Sequence, residues 1–406
     1  MKTPIENSHI SSDDDLHIRF QRTLNQTVTS LQAASLQANS LQAYKQKSVS
    51  PYLSLDIDVT LPLSQGIVGI FGASGAGKST LLRTIAGVDT GLKKQIEYKV
   101  HWQDQRIDKR PAEQNPCLLQ TQQAQLFPNL TVLENLTFVI KYSSWTRSCA
   151  FSLEQVIDWC GIQHLLNQTS TSLSGGEQQR VNLARSLLCG KPIILLDEPF
   201  SALDWNTRTE LLSLLVQLQQ NYQLYFVIVS HSLKELALTT DNLIVIKNGK
   251  VSQIGVSEIL IPKLTTTSNQ TVFSKLELSA PTPLPQHHLT QWQLTNGPNS
   301  KQGNTLVIYC KGLEQNQLTH KTIVIDANRI SLSKQANLSS SMLNHLPSQV
   351  TDINIIDIQH LQHLQHLVLV SLNINGQTLL AEISQLSLEK MNLVVGDDVF
   401  VQFKAV

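Results

Sequence analysis

Three short stretches of the chain carry residue types that act on phosphate. The first is GASGAGKST, which fits the phosphate-loop spacing G-x-x-x-x-G-K-[ST] at Gly72, Gly77, Lys78 and Ser79. A run of small residues, Gly72, Ala73, Ser74, Gly75, Ala76 and Gly77, lets backbone N–H groups turn inward around an anion. Lys78 is placed to neutralise β- and γ-phosphate oxygens, Ser79 to ligand Mg2+, and Thr80 to add a phosphate contact. The second stretch is IILLDEP. Asp197 ends an apolar run there, where its carboxylate can hold Mg2+ directly or through water. The adjacent Glu198 can align or deprotonate an attacking water. The third is LSGGEQQR, which puts Ser174, Gly175 and Gly176 at a helix start. Free N–H groups and the helix dipole draw anions to such a start.

One chain therefore offers two phosphate sites and a single phosphate-loop lysine. Phosphoryl transfer needs charge on every side of the γ-phosphate, and a phosphate loop covers one side. The arrangement predicts a second copy of the chain packed head to tail. Two ATP molecules would be buried, each between one copy's Lys78 and the partner's Ser174 and Gly176. Binding would close the pair and hydrolysis would open it. His231, after the apolar strand YFVIVS, reads as a sensor of the γ-phosphate in that company.

These residues need an α/β layered scaffold, and the pattern supplies one. LHIRF (16–20) and YLSLDIDVTLP alternate as half-buried strands. GIVGIF, PIILLDEP and YFVIVSH are buried strands of the parallel type, separated by helical stretches. LIVIKNGKV closes a hairpin through Asn248-Gly249. After residue 261 the texture changes. PKLTTTSNQT reads as a linker, and TLVIYC, KTIVIDA, HLVLVSLNINGQTLLAEI and DDVFVQFKAV read as short strands of an all-β barrel, with a hairpin at Asn375-Gly376. The repeat SLQAASLQANSLQA is a polar loop insertion without chemistry. His360, His363 and His366 recur every three residues in HLQHLQHL; they are either a metal site or a repeat expansion, and no Cys or carboxylate completes a ligand set.

At 406 residues two or three domains are expected. Lys plus Arg and Asp plus Glu both number 31, so the basic excess of a general nucleic-acid binder is missing. Cys117, Cys149, Cys160, Cys189 and Cys310 lack metal-ligand spacing and read as reduced, mostly buried thiols. No apolar run approaches a membrane span, and the polar, acidic N-terminus is not a secretory signal. Any membrane role must come through a partner.

The set GASGAGKST, LSGGEQQR, IILLDEP, SALD and VSH resembles the ATP-binding cassette (ABC) ATPases over residues of about 50–260. The resemblance implies an ATPase using Mg2+, with Ser201 to Asp204 as the loop that communicates across the dimer and Gln122 as the glutamine that touches Mg2+ and the membrane partner. Phe20, Tyr44 and Tyr52 are candidates for the aromatic that the family stacks on adenine. The tail, from SSSMLNHLP to the last residue, resembles the C-terminal molybdate-binding-type (Mop/TOBE) barrel of molybdate importer ATP-binding subunits, an OB-like module. Ser341 and Asn344 fall where that barrel type can hold an oxyanion.

The expected architecture is an α/β P-loop NTPase domain followed by an all-β small barrel. Residues 1–15 are expected to be a disordered N-terminus. The ATPase domain spans 16–262 with the insertion at 30–47, followed by a linker at 263–275. The barrel spans 276–406, with the Mop-type segment at 339–406. The function implied is the ATP-hydrolysing subunit of a molybdate importer at the cytoplasmic face of the inner membrane. It would form a homodimer and work with a membrane permease and a substrate-binding protein, without nucleic acid. The alternatives are the same machine with another cargo (sulfate, tungstate, iron or a polyamine) or a soluble cassette ATPase outside transport.

Overall fold

Alternating apolar residues build two strands, β1 (Leu16–Asn25) and β2 (Tyr52–Leu61), which pair antiparallel with Leu16 opposite Leu61 and Asn25 opposite Tyr52. The buried strand β3 (Val68–Gly72) runs into the phosphate loop and helix α1 (Lys78–Ile85). β4 (Tyr98–Trp102) and β5 (Gln105–Arg106) extend the sheet from β1, and β6 (Cys117–Gln120) follows. Three helices come next: α2 (Val132–Tyr142), α3 (Leu153–Cys160) and α4 (Gly175–Leu188). Thr131, Ser152 and Ser174 start them, each in a reciprocal capping box. The fully buried β7 (Ile193–Asp197), then α5 (Trp205–Asn221), β8 (Tyr225–Val229), α6 (Leu233–Thr239) and the hairpin β9 (Asn242–Lys247) and β10 (Lys250–Val256) complete the layers.

The sheet has ten strands in the order β5-β4-β1-β2-β10-β9-β3-β8-β7-β6. The run from β9 to β6 is parallel. β8 lies between β3 and β7, so the carboxyl ends of all three open on one edge, where open α/β sheets bind ligands. This computed structural model describes residues 14–25, 52–88, 98–143, 145, 151–222, 224–267, 270–297, 305–312, 320–336, 340–356 and 367–406. The SLQA insertion, Tyr44, Cys149 and the histidine repeat lie outside them. Within them no helix is long and apolar enough to cross a membrane. Cys117, Cys160 and Cys310 are buried free thiols, and burial pushes the first two up to about 12.

The chain divides into two compact units, Met1–Leu260 and Ile261–Val406. Two expectations need correction at their edges. Asp14 and Asp15 do not belong to a disordered tail. Asp14 accepts hydrogen bonds from Tyr225 Oη and Gln103 Nε2, and Asp15 accepts from the Ser64 amide and hydroxyl. The stretch read as a linker is largely regular structure: helix α7 occupies Ser257–Thr267 and β11 begins at Phe273. Ile261 and Leu264, one helical turn apart, are both buried there and outweigh the proline and threonines that suggested a linker.

The second unit has two antiparallel sheets. β11 (Phe273–Leu284), β12 (Leu289–Leu294), β13 (Val307–Lys311) and β14 (His320–Asp326) form one, in the order β13-β12-β11-β14. β15 (Ser331–Ser333), β16 (Asn344–Ile356), β17 (Leu367–Ile374), β18 (Gln377–Ser384) and β19 (Asp398–Phe403) form the other, in the order β15-β19-β16-β17-β18. Trp292 and Leu276 from the first sheet share one core with Val370 and Val401 from the second, giving a curled, barrel-like module. The β17–β18 turn uses Asn375 and Gly376, both left-handed, and seats on the first sheet so closely that a Cβ on Gly297 would overlap the Gly376 carbonyl.

Candidate functional site

The phosphate loop leaves β3 and enters α1 through Gly77, whose φ of 99° favours glycine and whose Cβ would overlap Leu55. No side chain caps α1, and its first turn carries no acid. The N–H groups of that turn have no intrahelical acceptors, so they suit an anion from outside. Lys78 folds back into the loop, its Nζ donating to the carbonyls of Gly72 at 2.8 Å and Ala73 at 2.9 Å. Burial pulls the Lys78 ammonium below its ordinary value, and the carboxylates of Glu198 and Asp197 oppose that shift.

Those carboxylates stand at the end of β7. Asp197 is buried, which pushes its carboxyl upward; a hydrogen bond from Ser79 pulls the other way. Ser79 and Asp197 thus meet across the mouth of the loop, an oxygen pair of the kind Mg2+ accepts alongside phosphate and water. Glu198 adopts a left-handed backbone, φ 46°, unusual for a residue with a side chain, and its amide donates to the Val229 carbonyl at 3.0 Å. Its Oε2 accepts from Gln122 Nε2 at 3.2 Å and lies 3.4 Å from His231 Nδ1. Two residues far apart in sequence, Gln122 and His231, therefore converge on one oxygen of Glu198. The neighbouring Gln120 does something else: it is buried and accepts from the Ser186 hydroxyl.

The second glycine-rich start is built differently. Ser174 Oγ and the Ser174 amide both donate to Glu177 Oε2 at 2.7 Å, and the Glu177 amide donates back to Ser174 Oγ at 3.3 Å. Ser174 thereby holds the Glu177 carboxyl below its ordinary range. Gly175 and Gly176 lie against the Ser201–Asp204 turn, where a Cβ on Gly176 would come within 2.8 Å of Leu203 Cδ2. The buried Gln179 accepts from the Ala202 amide at 3.2 Å and donates to Ser201 Oγ at 3.4 Å. Asp204 caps α5 by accepting from the Thr207 amide at 3.1 Å. Gln178 Nε2 ties the same helix start to the preceding segment, donating to the carbonyls of Ser170 at 3.3 Å and Leu173 at 3.2 Å.

Two sequence candidates are corrected. Phe20 is fully buried in the core of the ten-stranded sheet, where no adenine could stack on it. Asn344 is fully buried as well. Its Oδ1 accepts from the Tyr309 amide at 2.7 Å, and its Nδ2 donates to the carbonyls of Tyr309 at 3.3 Å and Lys404 at 3.2 Å. The amide stitches β16 to its neighbours and has no donor left for an oxyanion. Ser341 is exposed. Sequence reasoning missed Arg208 and Glu235, whose ion pair lies beside the site; Arg208 stands among polar residues of the first turns of α5 and carries no local signal, and Glu235 shows only as a charge between Lys234 and the apolar Leu236 of α6.

Residues 56–201 match the family model described as ABC transporter, and residues 340–406 match that of the TOBE domain. Among curated relatives, the molybdenum import ATP-binding protein ModC of Methylococcus capsulatus is 32% identical over 357 residues, covering 88% of this chain and 96% of that protein. The protein of the same name from Pseudomonas aeruginosa is 32% identical over 374 residues, with 88% and 96% coverage. That of Aromatoleum aromaticum is 31% identical over 361 residues, with 88% and 91% coverage.

Proposed function

The chain belongs to the ATP-binding proteins of ABC transporters, and from that premise we propose that it is the ATP-hydrolysing subunit of a molybdate importer. The observation that carries the hydrolytic reading is the convergence of Gln122 and His231 on Glu198 Oε2, beside Asp197, Ser79 and Lys78. The cargo is supported by the shared name of the relatives and by the TOBE match.

Lys78 exchanges its two carbonyl acceptors for phosphate oxygens, while Gly72, Ala73, Ser74, Gly75, Ala76, Gly77 and Thr80 wrap the phosphate chain with backbone and hydroxyl donors. Ser79 and Asp197 would hold Mg2+, with Gln122 beside them, and the ion would supply screening of the phosphate charge. Glu198 orients a water and takes its proton as the water oxygen bonds to the γ-phosphorus and the bond to the bridging oxygen breaks. His231 contacts the γ-phosphate. A second copy closes each site with its Ser174, Gly175, Gly176 and Asp204, and the opening and closing of the pair drives a membrane permease fed by a binding protein. The chain works at the cytoplasmic face of the inner membrane, held there by the permease.

The test is cellular molybdenum in a strain lacking the gene, grown at trace molybdate, with the intact gene or Glu198→Gln returned. The intact gene should restore molybdenum and the variant should not. Molybdenum that never falls would remove the cargo; uptake restored by the variant would remove the role of Glu198.

A further inference from the structure

Two loops frame Glu198. The Ser201–Asp204 turn follows it in the chain, and the loop Ser230–Ser232 carries His231. A single guanidinium joins them. Arg208, in the first turns of α5, donates from Nη2 to the carbonyls of Ser201 at 3.3 Å and Leu203 at 2.8 Å. From Nη1 it donates to Glu235 Oε1 at 2.6 Å. Glu235, buried in α6, accepts through its other oxygen from the Ser230 hydroxyl at 2.8 Å. Ser230 Oγ in turn accepts from the Ser232 amide at 2.9 Å. Both neighbours of His231 are therefore tied to the Glu235 carboxylate, Ser232 through Ser230. The far side of the same turn is tied to α4, because Gln179 bonds both Ser201 and Ala202.

A pair this buried is a poor way to add stability, since desolvation offsets most of its attraction; a well-packed apolar pair would serve as well. What the pair provides is geometry, because a planar fork bonding two carbonyls and a carboxylate admits one arrangement of all three. We propose that Arg208 and Glu235 are positioning residues that couple the Ser201–Asp204 turn, and through Gln179 the helix bearing Ser174, to the placement of His231 against Glu198. The state of the surface offered to the second copy is thereby reported to the hydrolytic centre of the same chain. The inference rests on the hydrolytic reading above.

The test is MgATP hydrolysis by the full-length chain, with kcat and KM measured together and trinitrophenyl-ATP as the binding probe. Arg208→Ala should lower kcat about tenfold or more, with KM and probe affinity within about twofold. Arg208→Lys should recover part of the loss, reaching Glu235 without the two carbonyls. Arg208→Ala combined with Glu235→Ala should be no slower than Arg208→Ala alone. If the alanine variants do not fold, Arg208→Lys and Glu235→Gln carry the test with the same kcat-only signature. An unchanged kcat in folded variants, additive losses in the double variant, or changes that only follow thermal unfolding would overturn the proposal. A parent chain that binds the probe but never hydrolyses ATP would instead bring down the hydrolytic reading, and this inference with it.

Discussion

The helices α1 and α4 both begin beside glycines, and they treat their free N–H groups in opposite ways. The start of α1 has no capping side chain and no acid in its first turn. The start of α4 supplies its own anion, Glu177, already bonded to the amide and hydroxyl of Ser174. The same dipole acts at both ends, but only the first is left open by its sequence. A phosphate arriving at α4 must share Ser174 with a carboxylate. A cation arriving with it would offset that competition, and in the closed pair proposed above Lys78 of a second copy would be that cation. Under that proposal one lysine would serve two glycine-rich starts.

Removing Lys78 breaks the contrast most severely. Lys78→Ala should weaken nucleotide binding about a hundredfold or more in equilibrium titration, because a buried charge-assisted contact is lost. Ser174→Ala should leave nucleotide affinity of the single chain within about twofold. It should cost about 1 kcal/mol in denaturant unfolding and reduce ATP-driven pairing seen by size-exclusion chromatography. Equal loss of nucleotide affinity in both variants would refute the distinction. Glu177→Gln keeps a capping partner but removes its charge. Pairing with ATP should tighten by about two- to threefold, the size of one charge at a helix end. The smallest effect is read by its sign. Burial holds the folded Asp197 above its ordinary 3.8, so the folded state binds a proton that the unfolded chain has released, and stability falls as pH rises through that window. Without nucleotide, Asp197→Asn should therefore melt above the parent at neutral pH, with the gap narrowing toward acid; a lower melting point at neutral pH would reverse the sign.

Much of this site is legible in the sequence because its residues sit at the ends of buried apolar strands. GIVGIF and PIILLDEP announce both the strand and the turn that follows, and a parallel sheet with β8 between β3 and β7 brings those turns together. The resemblance picks Gln122; what the sequence does not show is how packing separates it from Gln120, which turns inward toward Ser186 while Gln122 donates to Glu198. Arg208 and Glu235 were hidden for a similar reason. A charge on a helix usually faces solvent, and nothing local says that these two face each other. In the second unit β11, β12 and β16 are not read as strands from the sequence, whereas β13, β14, β17, β18, β19 and the Asn375-Gly376 turn follow from alternation and turn chemistry. The role of Asn344 does not, because its partners, Tyr309 and Lys404, are 35 and 60 residues away.

The close seating of the β17–β18 turn sets the smallest piece of this chain that can be passed between genes. Gln377 gives its amide to the carbonyls of Glu277 and Thr295 and takes the Glu277 amide in return. The TOBE match begins only at residue 340, yet the core it helps enclose is completed by Trp292 and Leu276. A recombination event at the border of the match would part Gln377 from its acceptors and uncover a tryptophan, whereas one near Ile261 would move both sheets together. The portable unit is the pair of sheets, and descent by domain shuffling should have respected that larger border.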